Sequence, residues 1–130
     1  MSDSKSEDFQ HKVSALIIRN RNVMDILTKC QISCGKICRS TVKSATGCGC
    51  LKIISEKCLP TFSENDSFFT GEESGVSGTI CPDCKDIIEN EIGELLFYTA
   101  GLCNALGLNM ADIMKKEIKN VEVLGKYSLR

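Results

Sequence analysis

Two close pairs of cysteines, Cys48-Gly49-Cys50 and Cys81-Pro82-Asp83-Cys84, constrain this chain more than any other feature of it. Each pair can aim two thiolates inward from a tight turn, shaped by Gly49 in the first and Pro82 in the second, and together they supply the four sulfurs of a tetrahedral zinc site. The chain is therefore predicted to close around a structural zinc held by Cys48, Cys50, Cys81 and Cys84; an iron–sulfur cluster is the other metal group that such ligands suit. Four cysteines leave no open coordination position, so the site holds a fold together and function has to be sought elsewhere.

A chain of 130 residues with 42% hydrophobic content is long enough for one modest core, and a single domain over 1–130 is expected. No apolar run reaches the length of a membrane span, and the Met1-Ser2-Asp3-Ser4-Lys5 start lacks a charged-then-apolar leader pattern. These features predict a cytoplasmic protein without a membrane partner. A reducing compartment turns the nine cysteines toward metal ligation or burial, and an odd number cannot pair completely.

The net charge of -1 hides two blocks. From Lys29 to Lys57 six basic residues face Glu56 alone, and from Glu64 to Glu94 nine acids face Lys85 alone. The blocks suit each other within one fold. The absence of Trp and the 5% aromatic content weigh against nucleic acid as a partner, because single-stranded bases need stacking platforms.

Between Phe9 and Ala45 apolar residues recur at Val13, Leu16, Ile17, Met24, Leu27, Cys30, Cys34, Ile37 and Val42. That is helical spacing, for one long helix or a pair divided at Arg19-Asn20-Arg21-Asn22. Thr46, Gly47 and Gly49 end it and deliver Cys48 and Cys50. Residues 55–79, rich in Ser, Thr, Gly and acids and containing Pro60, read as an irregular loop pinned at both ends by the metal. Pro82 opens a helix that runs to Gly107, and Asn109 caps another that ends near Gly125. The predicted fold class is all-α.

Cys30, Cys34 and Cys38 advance about 40° per step round the helix and share a broad face. Core packing is expected of them, with a second metal or redox centre as the alternative. Cys58 falls in the loop, Cys103 on an apolar helix face, and His11 near a polar terminus. Glu91 and Glu94 are a carboxylate pair one turn apart, with Tyr98 a further turn on.

The segment from Ile88 through Glu91, Glu94 and Tyr98 to Leu106-Gly107-Leu108-Asn109 resembles the carboxyl-terminal helix pair of MazG-like all-α nucleotide pyrophosphohydrolases. That family carries Glu-x-x-Asp on this helix, then an apolar run, a Leu-Gly-Leu/Ile-Asp/Asn turn and another helix. The resemblance covers roughly the last 45 residues, with Glu94 in place of the usual Asp. It implies a MazG-like helical domain with a long amino-terminal helix or helix pair. It also implies magnesium held by four carboxylates, two of them from a Glu-Glu-x-x-Glu motif on the preceding helix. No glutamate occurs between Phe9 and Ser55; Arg39 and Lys43 stand there instead, so they are expected to pair with Glu91 or Glu94 or to contact a ligand phosphate. The expected protein is a zinc-stapled MazG-like binding or regulatory module with lost or altered catalysis, homodimeric through leftover apolar helix surface, with affinity for a nucleotide-like ligand. Two alternatives stand beside it: a magnesium-dependent nucleoside triphosphate pyrophosphohydrolase acting through Glu91 and Glu94, and a redox or metal sensor built on Cys30, Cys34, Cys38 and Cys58.

Overall fold

The computed structural model describes residues 2–16, 22–54 and 75–125. In chain order these form α1 (Ser2–Leu16), α2 (Val23–Lys43), a π-helical turn (Ser44–Cys48), β1 (Leu51–Ile53), β2 (Val76–Gly78), α3 (Pro82–Leu106) and α4 (Met110–Gly125). The structure is mostly helical, as the all-α reading required. The helix pair, rather than one long helix, is what forms: Asn22 accepts the Asp25 backbone N–H on its side-chain oxygen at 3.0 Å and so caps the start of α2. Asn109 does the same for α4 through the Asp112 N–H at 3.2 Å. At the end of α3, Gly107 adopts φ 70 and the Leu108 N–H reaches back to the Cys103 carbonyl at 2.8 Å, closing the helix in a left-handed cap.

The chain divides into two compact units, residues 1–32 with 93–130 and residues 33–92. In the first, α1 packs on α4 around a small core of Val13, Ala100, Cys103 and Met110, with Phe97 against it. Cys103 is thus a core residue, as its place on the apolar face of α3 predicts. Gln10 ties the unit together. Its amide nitrogen donates to Asn104 Oδ1 at 2.9 Å and to the Leu108 carbonyl at 2.7 Å, while its oxygen accepts the Met110 N–H at 2.8 Å. One side chain of α1 therefore satisfies orphan backbone groups at both sides of the α3–α4 turn.

The second unit contains both cysteine pairs. β1 and β2 pair antiparallel in the register Leu51↔Gly78, Lys52↔Ser77 and Ile53↔Val76, and the Ile54 N–H extends the ladder to the Gly75 carbonyl at 2.7 Å. The loop expected over 55–79 is therefore regular at its carboxyl end; 55–74, with Cys58, lies outside the described residues. Three-residue strands show too little periodicity to be read from sequence, and backbone pairing joins the described ends of the loop.

Candidate metal centre

The first cysteine pair is delivered by an irregularity at the end of α2. From Ser44 to Cys48 the helix widens to π geometry, with the Gly49 N–H donating to the Ser44 carbonyl five residues back at 2.9 Å. Gly49 then takes φ 80, a conformation that costs other residues strain, and turns the chain so that Cys50 comes back beside Cys48. Ser44 is 1% exposed and anchors the turn: its hydroxyl donates to the Ser40 carbonyl at 3.0 Å, and its own carbonyl lies 3.6 Å from Cys50 Sγ. The second pair sits at the start of α3, where Cys81 caps the helix. Its sulfur accepts the Cys84 N–H at 3.4 Å, and its carbonyl accepts the Lys85 N–H at 2.9 Å. The hairpin joins the two pairs, because Cys50 directly precedes β1 and only Thr79 and Ile80 separate β2 from Cys81.

The sulfurs of Cys48, Cys50, Cys81 and Cys84 all lie within 4.8 Å of one another, which brings together the four residues that the sequence singled out. Cys48 Sγ and Cys81 Sγ are 3.7 Å apart. Tetrahedral zinc with bonds of about 2.3 Å sets its sulfurs about 3.8 Å apart, so the donor set and its spacing fit that ion.

Within the cluster the thiols shift in opposite directions, as closely spaced sulfurs sharing hydrogen bonds do. Cys81 is lowered to about 7, first by the Cys84 backbone N–H and then by the Cys84 side chain. In Cys84 a hydrogen bond with the Ser44 side chain acts downward, but the Cys81 sulfur, burial and the other two thiols carry it up to about 12. Cys48 is raised, chiefly by its hydrogen bond with Cys81. Four thiolates this close repel one another unless a cation stands among them.

Beside the cluster lies a cavity of about 370 Å³, lined by Ser40, Lys43, Ser44, Gly47, Cys48, Cys84 and Ile87. It has the size and the mostly apolar wall, with a few polar groups, of a small-ligand pocket. Lys43, one of the two basic residues predicted to contact phosphate, lines it; Arg39 is exposed on α2 and does not.

The carboxylates are arranged otherwise than expected. Glu91 Oε2 is buried without a hydrogen-bond partner, and no ion pair joins Glu91 to Arg39 or Lys43, both of which are exposed. Glu94, in the other unit, is exposed.

The cysteines of α2 also differ from expectation: Cys34 and Cys38 are exposed and Cys30 is half-buried. On α2 Ile26 and Ser33 are buried and Cys30 and Ile37 half-buried, and Ser44 of the π-helical turn is buried as well, so serines take inward places beside the one cysteine that is partly covered. Small size lets serine sit there as easily as cysteine, and apolarity alone does not separate them. Among the described residues, Cys48, Cys50, Cys81 and Cys84 form the one group of three or more potential ligands. Gly78 and Ser44, both essential to the geometry, carry no motif that sequence reasoning would flag.

No helix among the described residues is long and apolar enough to cross a membrane. No protein family, curated protein or solved structure matches the chain.

Proposed function

We propose that this protein is a zinc-stapled, MazG-like binding or regulatory module, with the zinc held by Cys48, Cys50, Cys81 and Cys84 and a small anionic, nucleotide-like ligand taken up beside it. The observation that carries this reading is the cavity of about 370 Å³ that Lys43 and Ser40 line against the cysteine cluster. An ammonium and a hydroxyl on one helix turn are suited to a phosphate oxygen, and Ile87 offers an apolar surface to the rest of a ligand. The reading of lost catalysis is supported by the missing glutamates of α2, because magnesium needs more oxygen ligands than Glu91 and Glu94 provide. Calorimetry with inorganic pyrophosphate and nucleoside triphosphates tests it. Binding should weaken roughly tenfold in Lys43→Ala, the loss of one charge-assisted contact. Unchanged affinity in that variant would remove the cavity from the function.

The buried, unpartnered Oε2 of Glu91 favours a second reading, in which a magnesium ion sits at this carboxylate and nucleoside triphosphates are hydrolysed. Turnover of about 1 s⁻¹ or more with magnesium, abolished by Glu91→Gln, would establish it over the first. The chain is further proposed to be cytoplasmic, where nine cysteines escape oxidation, and to form a homodimer. Support for the dimer comes from the first unit, where Leu106, Leu108, Ile113, Met114, Ile118 and Val121 are all exposed by 44% or more.

A further inference from the structure

The four cysteines of the cluster differ in their exposure. Cys50, Cys81 and Cys84 are half-buried, whereas Cys48 is exposed and forms part of the cavity wall beside the exposed Lys43 and Gly47. Cys81 accepts the Cys84 N–H, which draws electron density from its sulfur and blunts attack on an electrophile. Metal coordination keeps a bound cysteine as thiolate, the form that reacts with oxidants, while an ordinary free cysteine is mostly protonated at neutral pH. Cys48 thus combines nucleophilic form with an open approach, and Cys81 Sγ waits 3.7 Å away on the other knuckle.

We propose that Cys48 is a peroxide-sensitive modification site whose oxidation ends in a Cys48–Cys81 disulfide with loss of the ion, an inference that rests on the zinc reading above. The Cys48 sulfur attacks one oxygen of hydrogen peroxide, the O–O bond breaks, and hydroxide leaves a sulfenic acid on Cys48. The Cys81 thiolate then attacks the Cys48 sulfur, the S–O bond breaks and a second hydroxide departs. The two sulfurs together lose two electrons, the peroxide gains them, and two protons from solvent convert the hydroxides to water. Half of the tetrahedral ligand set is consumed, so the ion is released. The new bond joins the same two knuckles that the metal joined. Oxidation therefore removes a negatively charged zinc–thiolate centre from the cavity wall while leaving the hairpin clasped. Cys34 and Cys38, although exposed, belong to no such ligand cluster among the described residues and react later.

The test uses the full chain as purified, with its zinc content measured first. Absence of zinc would refute the metal reading itself, and disulfide mapping after oxidation would still decide the inference about Cys48 and Cys81. Equimolar hydrogen peroxide is added in the presence of a chromogenic zinc chelator, and peptides are fragmented under non-reducing conditions. The expected result is zinc release in step with a Cys48–Cys81 link, with Cys34 and Cys38 still reduced. A sulfenic-acid trap should mark Cys48 in Cys81→Ser. Since that variant can fail to fold, the order of alkylation by limiting N-ethylmaleimide in the unaltered chain gives a second reading, with Cys48 expected first among the four ligands. Zinc retained after peroxide, a first disulfide between any other pair, or prior oxidation of Cys34 or Cys38 would overturn the proposal.

Discussion

A methyl group on Gly78 would stand 2.7 Å from the Cys50 carbonyl oxygen, and the residue has φ 92. Neither the backbone oxygen nor the left-handed conformation can yield cheaply, so Gly78→Ala presses directly on the first knuckle. The substitution should cost about 2–3 kcal/mol of stability and weaken zinc retention against a competing chelator, as read by denaturant unfolding and a chelator titration. Ala at Gly49, where nothing lies within 4 Å, meets only the conformational penalty at φ 80 and should cost less. Gln10 is the comparable residue of the other unit, because its amide makes three of the contacts that hold α1 to the α3–α4 turn. Gln10→Ala should destabilise by about 1–3 kcal/mol in the same unfolding assay, through the lost bonds and the Met110 N–H left without its acceptor. Zinc content should be unaffected. The cysteine residues announced themselves by spacing, whereas Gly78 and Gln10 matter through atoms more than twenty residues away and gave no local sign.

At the scale of elements, the hairpin and the cysteine pairs are one device. Three residues of ladder on each side are too few to be stable alone in water. A structural zinc contributes on the order of 10 kcal/mol in small peptides, comparable with the whole stability of a small domain. Chelation, or Cys81→Ser, is therefore expected to melt β1, β2 and the first turn of α3 together. Hydrogen exchange should show their amides losing protection as a group, while the Gln10-linked amides of the other unit, such as that of Met110, keep theirs. Loss of protection throughout the chain would mean that both units depend on the metal. The helices needed no such support to be legible: Asn109, Gly107 and Pro82 mark their ends by capping chemistry that acts within a few residues. The exposed Cys34 and Cys38 mark the limit of that method. Periodicity found the helix, but which of its faces lies inside depends on what packs against it.

For the molecule as a whole, the apolar stripe of α4 is the surface that bears on partnership. Met110 and Ala111 are buried, yet Met114, Ile118 and Val121, further along the helix at i+4, i+8 and i+11 from Met110, are exposed by 45%, 52% and 55%. Such a stripe is the ordinary seam of a helical interface, and in the proposed homodimer a second copy would supply the matching one. The chain should therefore sediment as a dimer at micromolar concentration, and Ile118→Asp should yield a monomer with its zinc intact. Light scattering with metal analysis checks both. A monomeric unaltered protein would dispose of the homodimer.

What the sequence determined alone was everything carried by short-range chemistry: an all-α chain, its helix ends, and four cysteines at turn positions whose sulfurs could meet. Those features depend on residues within a turn or two of one another, or on ligand types that admit few uses. Tertiary structure decided the rest. Pairing of Leu51 with Gly78 across the loop, the inward placing of Ser33 and Ser44, the exposure of Arg39 and Lys43, and the burial of one Glu91 oxygen all follow from which distant segment occupies the facing space. Packing is a property of pairs of surfaces, and a single strand of sequence records only one member of each pair.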